Sequence, residues 1–127
     1  MAKKSELIVP LRIDFPCGDK IGRGKMQLLE HIKSTGSITA AGRAMGMSYR
    51  RSWLLVYVMN TMFSEPIVVT QRGGKRGGGA MVTDFGNELL ERYRKMEEKI
   101  AVALESDLDW LGARRSADRP TLTEKNR

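Results

Sequence analysis

A mainly α fold carrying one small β wing is what this 127-residue sequence predicts. Three observations carry that expectation. Apolar residues recur at helical spacing in several separate stretches. Two short strand-like runs flank a glycine-rich tip between Ile67 and Val82. Positive charge concentrates in the middle of the chain: Arg43, Arg50, Arg51, Arg72, Lys75 and Arg76 stand against the single acid Glu65.

The composition excludes several classes. Hydrophobic residues make up 41% and charged residues 29%, an ordinary balance for a soluble domain. The length suits one domain, expected over residues 1–111, with a polar, disordered tail over 112–127. A lone Cys17 excludes an internal disulfide and a multi-thiolate zinc site, and a lone His31 makes no metal centre or histidine dyad. No triad or acid/base pair emerges, so neither an enzyme nor a cofactor is expected. No run approaches the ~20 apolar residues of a membrane span, and the Met1–Glu6 start has no signal-peptide pattern. A cytoplasmic protein is the default expectation. Lys+Arg 22 against Asp+Glu 15 gives a net charge of +7, which favours a polyanionic partner.

Taken in order, Leu7, Val9, Leu11, Ile13 and Phe15 alternate with Ile8, Pro10, Arg12 and Asp14, the period of a half-buried strand. Pro10 confines that strand to a sheet edge. Ile21, Leu28, Leu29 and Ile32 predict a helix from about Ile21 to Thr35, stopped by Gly36. Ser37 or Thr39 can cap a second, short helix, whose small residues Ala40, Ala41 and Ala44 permit a close neighbour. Gly46 supplies a turn, and Ser48 caps a third helix running to about Phe63. The first turn of this helix is polar (Tyr49, Arg50, Arg51), while Trp53 and Val56 are expected to anchor it in the core. Strands follow at Ile67–Thr70 and Ala80–Val82, around the tip from Gly73 to Gly79. The tip lacks the Gly-Lys-Ser/Thr ending of a nucleotide-binding loop. Thr83 caps a last helix striped with Phe85, Leu89, Leu90, Tyr93, Met96, Ile100 and Leu104.

Two helices joined by a glycine-containing turn, the second opening on a basic turn, form a helix-turn-helix. Tyr49, Arg50 and Arg51 would then face bases and phosphates in a major groove. Ser37, Thr39 and Ser48 lie at helix starts, where backbone N–H groups suit a phosphate. Arg43 and Arg72 add charge, and Lys75 and Arg76 on the tip would follow the backbone as a wing. The alternative is a protein-interaction module that uses the apolar face of the third helix around Leu54, Leu55 and Val58, with no specific DNA site.

The runs Gly36-Ser37-Ile38-Thr39-Ala40-Ala41-Gly42 and Met45-Gly46-Met47-Ser48-Tyr49-Arg50, then Trp53 and Met59-Asn60, resemble the N-terminal DNA-binding domain of the molybdate-responsive ModE regulators. So does Gly73-Gly74-Lys75-Arg76-Gly77-Gly78-Gly79-Ala80, followed by Thr83 and Gly86. The resemblance covers Leu7 to Leu104. It implies a LysR-type winged helix-turn-helix with a long C-terminal dimerisation helix, binding a palindromic operator in double-stranded DNA as a homodimer. Leu89, Leu90, Tyr93, Met96, Ile100 and Leu104 would then pair between protomers. Full-length members carry molybdate-binding domains beyond this point, which leaves room for a separate molybdate-sensing partner.

Overall fold

A tight hairpin precedes the helices. Ile13–Asp14 (β1) pairs antiparallel with Lys20–Ile21 (β2), with Ile13 opposite Ile21. The computed structural model describes residues 6–72 and 78–116. The turn is closed by the Phe15 amide on the Asp19 carbonyl at 2.8 Å and the Gly18 amide on the Phe15 carbonyl at 2.9 Å. This pairing corrects the expected strand from Leu7 to Phe15. Pro10 has no N–H to give to a ladder, and the Leu11 carbonyl is taken by the Tyr93 hydroxyl, which donates to it at 2.8 Å. Ile21 also leaves the expected helix, joining β2 and burying its side chain.

Arg23–Thr35 (α1) then buries Met26, Leu28, Leu29 and Ile32 on one face. Gly36 stops it, its amide donating to the Ile32 carbonyl at 2.8 Å. Leu28, Leu29 and Ile32 are wholly enclosed, and burying each such side chain contributes about 1.5–3 kcal/mol. Ile38–Ala44 (α2) is capped by Ser37, whose hydroxyl accepts the Ala40 amide at 3.0 Å. Thr39 lies inside this helix, so of the two candidates Ser37 is the cap. Gly46 turns the chain at φ 73°, a left-handed conformation that glycine adopts without steric cost.

Tyr49–Met62 (α3) opens on Ser48, whose hydroxyl accepts the Arg51 amide at 3.1 Å. Val68–Arg72 (β3) and Gly78–Val82 (β4) form a second antiparallel pair, with Val68 opposite Val82 and Arg72 opposite Gly78. Thr83 ties the next helix down. Its hydroxyl donates to the Pro66 carbonyl at 2.8 Å and accepts the Gly86 amide at 3.0 Å. Asp84–Ala103 (α4) follows, and Glu105–Ala113 (α5) begins after Leu104 leaves helical geometry at φ −102°, ψ 8°.

Two compact units result. Residues Pro10–Glu97 form one; residues 6–9 and 98–116 belong to the other. In the first, α1 packs on α2, α2 on α3, and α1 also meets β4. Leu90 and Tyr93 are buried within this unit. In the second, Arg115 pairs with Glu6 at 3.2 Å and the Arg114 guanidinium lies 4.6 Å from the Trp110 ring centre. No residue of α5 is buried.

The expected winged helix-turn-helix with one long C-terminal helix is therefore corrected. The described residues form five helices and two separate two-stranded sheets, and the last helical stretch is broken at Leu104. No glycine or proline marks that break. Helical structure also reaches Ala113, into the segment expected to be disordered, and the rest of that expectation falls beyond the described residues.

Tyr93 yields a pH-dependent expectation. Burial pushes its hydroxyl above the ordinary tyrosine value of 10.0, and the neighbouring Glu97 carboxylate adds to the rise. Folding thus favours the protonated form. The stability it contributes is fully present below pH ~10 and is lost as pH climbs through the raised value. Tyr93→Phe, which forfeits the bond to Leu11, should be about 1 kcal/mol less stable than wild type at pH 8. Urea melts should show that gap shrinking as pH rises above 10; a constant gap up to pH 11.5 would refute the assignment.

Candidate nucleic-acid interface

Helix α3 is apolar through most of its length, so its sequence alone does not choose a buried face. The structure places Ser52, Val56 and Met59 inward, at i, i+4 and i+7. This corrects the expected anchor: Val56 is buried, but Trp53 is 39% exposed. The inward position beside it belongs to Ser52, which is 0% exposed and donates to the Ser48 carbonyl at 2.9 Å. The reason is spatial. A Cβ added to Gly42 of α2 would stand 1.6 Å from the Ser52 hydroxyl oxygen. Only a small side chain fits where the helices come this close, so the indole is turned outward. The close approach is made at Gly42 rather than at the alanines, of which Ala44 is exposed.

The outward face of α3 carries Tyr49, Arg50, Trp53, Leu54 and Tyr57. Tyr49 and Tyr57 are 65% and 67% exposed, and the Tyr49 and Trp53 rings lie 6.1 Å apart, tilted by 51°. Sequence reasoning missed Trp53 and Tyr57 on this face. The spacing 49, 53, 57 could have shown that the three aromatics share a face, though not that it points outward. For the alternative reading, Leu54 is exposed, while Leu55 and Val58 are half-buried.

Arg50 and Arg51 occupy the exposed first turn of α3, and Arg43 is exposed near the end of α2. Among the described residues these three arginines form no ion pair, whereas Arg12, Arg23, Arg92, Arg94 and Arg115 each meet a carboxylate. Ser37 and Ser48 spend their hydroxyls on helix caps, and Thr39 is half-buried. Arg72 closes β3 opposite Gly78. Lys75 and Arg76 lie outside the described residues. Of the proposed pairing stripe, Leu90 and Tyr93 are already used in the core of their own unit, while Leu89, Met96, Ile100 and Leu104 are half-buried.

Among the described residues no three His, Cys, Asp or Glu side chains converge as a metal ion would require. None of their helices is long and apolar enough to cross a membrane.

Fold and site together define a basic, mainly helical protein in which Arg43, Arg50 and Arg51, which pair with no carboxylate among the described residues, share one capped two-helix unit. No family model matches the chain. It is similar to the molybdenum-pterin-binding protein MopB of Rhodobacter capsulatus, 40% identical over 89 residues, which is 70% of this chain and 33% of that protein. It is also similar to the molybdenum transport protein ModE of Azotobacter vinelandii, 32% identical over 101 residues, 80% of this chain and 37% of the relative. The DNA-binding transcriptional dual regulator ModE of Escherichia coli K12 is 36% identical over 69 residues, 54% of this chain and 26% of the regulator. The chain thus spans about a third of the length of the curated relatives it matches. The similarity lies with molybdenum-related proteins and ModE regulators.

These findings correct the recognition drawn from the motifs. Proteins described as molybdenum-pterin-binding match as much of this chain as do those described as regulators. The likeness therefore does not single out a regulator's DNA-binding domain, and the fold name attached to that recognition falls with it.

Proposed function

We propose that this chain is a sequence-specific DNA-binding transcription regulator of molybdenum-related genes, acting on a palindromic operator as a homodimer. The observation that carries the reading is the trio Arg43, Arg50 and Arg51, exposed and without an acidic partner among the described residues, on two helices locked together by the Gly42–Ser52 contact. Ser48 fixes where α3 begins, so the direction of Arg50 and Arg51 is set by a hydrogen-bonded cap rather than by a free loop. An arginine held this way can donate bidentately to guanine, which discriminates by roughly 1–3 kcal/mol per good pair. Tyr49 and Trp53 extend the same exposed face with groups able to pack on sugar or thymine methyl. Exposed Val102, Trp110 and Leu111 in the residue 98–116 segment supply apolar surface for a second copy. The molybdenum connection is supported by the relatives' descriptions, and no step of the proposed function runs through a bound metal.

Selection of duplexes from a random pool tests the whole reading. It should return inverted repeats with half-site centres about 34 Å apart. Arg50→Ala should weaken binding to the selected duplex by roughly 1–3 kcal/mol and change non-specific binding far less. Equal losses on both duplexes would remove Arg50 from base reading, and a pool that yields no enriched sequence would overturn the proposal.

A further inference from the structure

Beside α3, in the unit formed by Pro10–Glu97, lies an open cleft of about 580 Å³, of whose lining the reading above uses Arg51 alone. Its volume is in the range that small-molecule ligands occupy, roughly 300–1,000 Å³. Five cations line it, Arg12, Lys20, Arg23, Lys25 and Arg51, and no acidic residue does. Two of these are already compensated from outside the lining: Arg12 meets Asp14 at 2.9 Å and Arg23 meets Glu97 at 3.2 Å. Among the described residues, Lys20, Lys25 and Arg51 meet no carboxylate. The Lys25 ammonium does no more than donate to the Lys20 carbonyl at 2.7 Å, which holds the two lysines' segment together without neutralising either charge.

The remaining wall is apolar, made by Pro10, Leu11, Met47 and Leu55. The start of α1 also opens here: its cap, Gly22, offers no side-chain bond, and its first turn contains no acid. Gly24 lines the same cleft, and a Cβ placed there would meet nothing within 4 Å. Uncompensated positive charge beside an apolar wall, in a concave space of this size, selects for a matching molecule. A bare inorganic oxyanion would leave the Leu11, Met47 and Leu55 wall uncovered, and a neutral apolar compound would leave the three cations unanswered.

We propose that this cleft binds a small organic anion, a phosphate- or carboxylate-type head on an apolar ring or chain, with the head held by Lys20, Lys25 and Arg51. Arg51 belongs to both the cleft and the basic first turn of α3. Occupancy of the cleft therefore draws one arginine of the Arg43, Arg50 and Arg51 trio away from a duplex, an effect that rests on the DNA-binding reading, whereas ligand binding itself does not.

The test uses 1-naphthyl phosphate as the probe, with 1-naphthol and inorganic phosphate as its two halves, titrated calorimetrically into the full chain. Wild type should bind the probe with a dissociation constant below about 1 mM, and each half at least about tenfold more weakly. Lys20→Gln combined with Lys25→Gln removes charge, and Gly24→Leu fills the open space while keeping every charge. Both should lower probe affinity about tenfold or more, with the thermal midpoint checked in each variant. Undiminished binding in both variants, or a half that binds as well as the whole, overturns the site. So does a wild-type protein that ignores the probe while the lysine variant loses duplex affinity, since the cleft then holds DNA phosphate. With the enriched duplex present, saturating probe should raise the duplex dissociation constant in wild type and not in Gly24→Leu. If no duplex is bound at all, the DNA reading fails while the calorimetric result on the cleft still stands.

Discussion

Gly42→Ala should cost about 3 kcal/mol or more of stability, although alanine favours a helix over glycine by about 1 kcal/mol. The added Cβ would lie 1.6 Å from the Ser52 hydroxyl oxygen, 2.7 Å from the Ser52 Cβ and 3.8 Å from the Met47 Cβ. Rotating the serine hydroxyl relieves only the first of these. The Cβ–Cβ contact remains below any normal separation, so α2 and α3 must move apart. Overpacking in a filled core typically costs about 1–3 kcal/mol. Here it also breaks the Ser52–Ser48 bond at 2.9 Å, which brings the total to the upper end or beyond. A loss of that size lowers the thermal midpoint by roughly 10 °C or more. Because propensity alone predicts a gain, the sign of the change is diagnostic. Adding Ser52→Gly to Gly42→Ala should restore part of the midpoint. An unchanged or raised midpoint in the single variant would mean that the two helices do not approach this closely. The same displacement should weaken duplex binding, because it shifts the helix carrying Arg50 and Arg51 against the one carrying Arg43.

The second large effect belongs to Asn60, near the end of α3. Its side-chain oxygen accepts the Ile67 amide at 2.8 Å and the Val68 amide at 3.1 Å, and its amide nitrogen donates to the Val68 carbonyl at 2.9 Å. Ile67 and Val68 are both buried, so water cannot readily replace these partners. Each polar group orphaned in such a place costs about 1–3 kcal/mol. Asn60→Ala orphans three, and a total loss of roughly 3–5 kcal/mol is expected. Asn60→Asp keeps the acceptors but turns an anionic oxygen toward the Val68 carbonyl, so it should recover only part. Amide hydrogen exchange localises the effect: Ile67 and Val68 should lose protection before the amides of α1 do. Retained protection at both positions in Asn60→Ala would show that Asn60 does not hold the start of β3.

Much of the local structure was legible. Ser37 and Ser48 accept amides three residues on, as cap chemistry requires, and Gly36 ends α1 where the apolar spacing ran out. These features depend on neighbours within one helical turn, and so the sequence states them directly. The inward face of α3 was not legible, because apolar residues surround that helix on most sides and periodicity offers no preference. Hydrophobicity predicts Trp53 inside; it lies outside because Gly42 leaves room for Ser52 alone at the adjoining position. The strand expected across Leu7–Phe15 likewise depended on a partner the pattern could not specify. Only Ile13 and Asp14 found one, in β2.

By itself, the order of residues settled the uneven distribution of charge, the cap at Ser48, the turn at Gly46 and the absence of any thiol pair, and it narrowed the cap of α2 to Ser37 or Thr39. Tertiary structure alone decided which side of α3 meets the core, how the Asn60 side chain secures β3, and that Lys20, Lys25 and Arg51 share one cleft. Cap and turn energies arise between residues a few positions apart, so they are written in short stretches of chain. Packing and charge clustering join segments tens of residues apart, and their geometry exists only after the intervening helices have closed on one another.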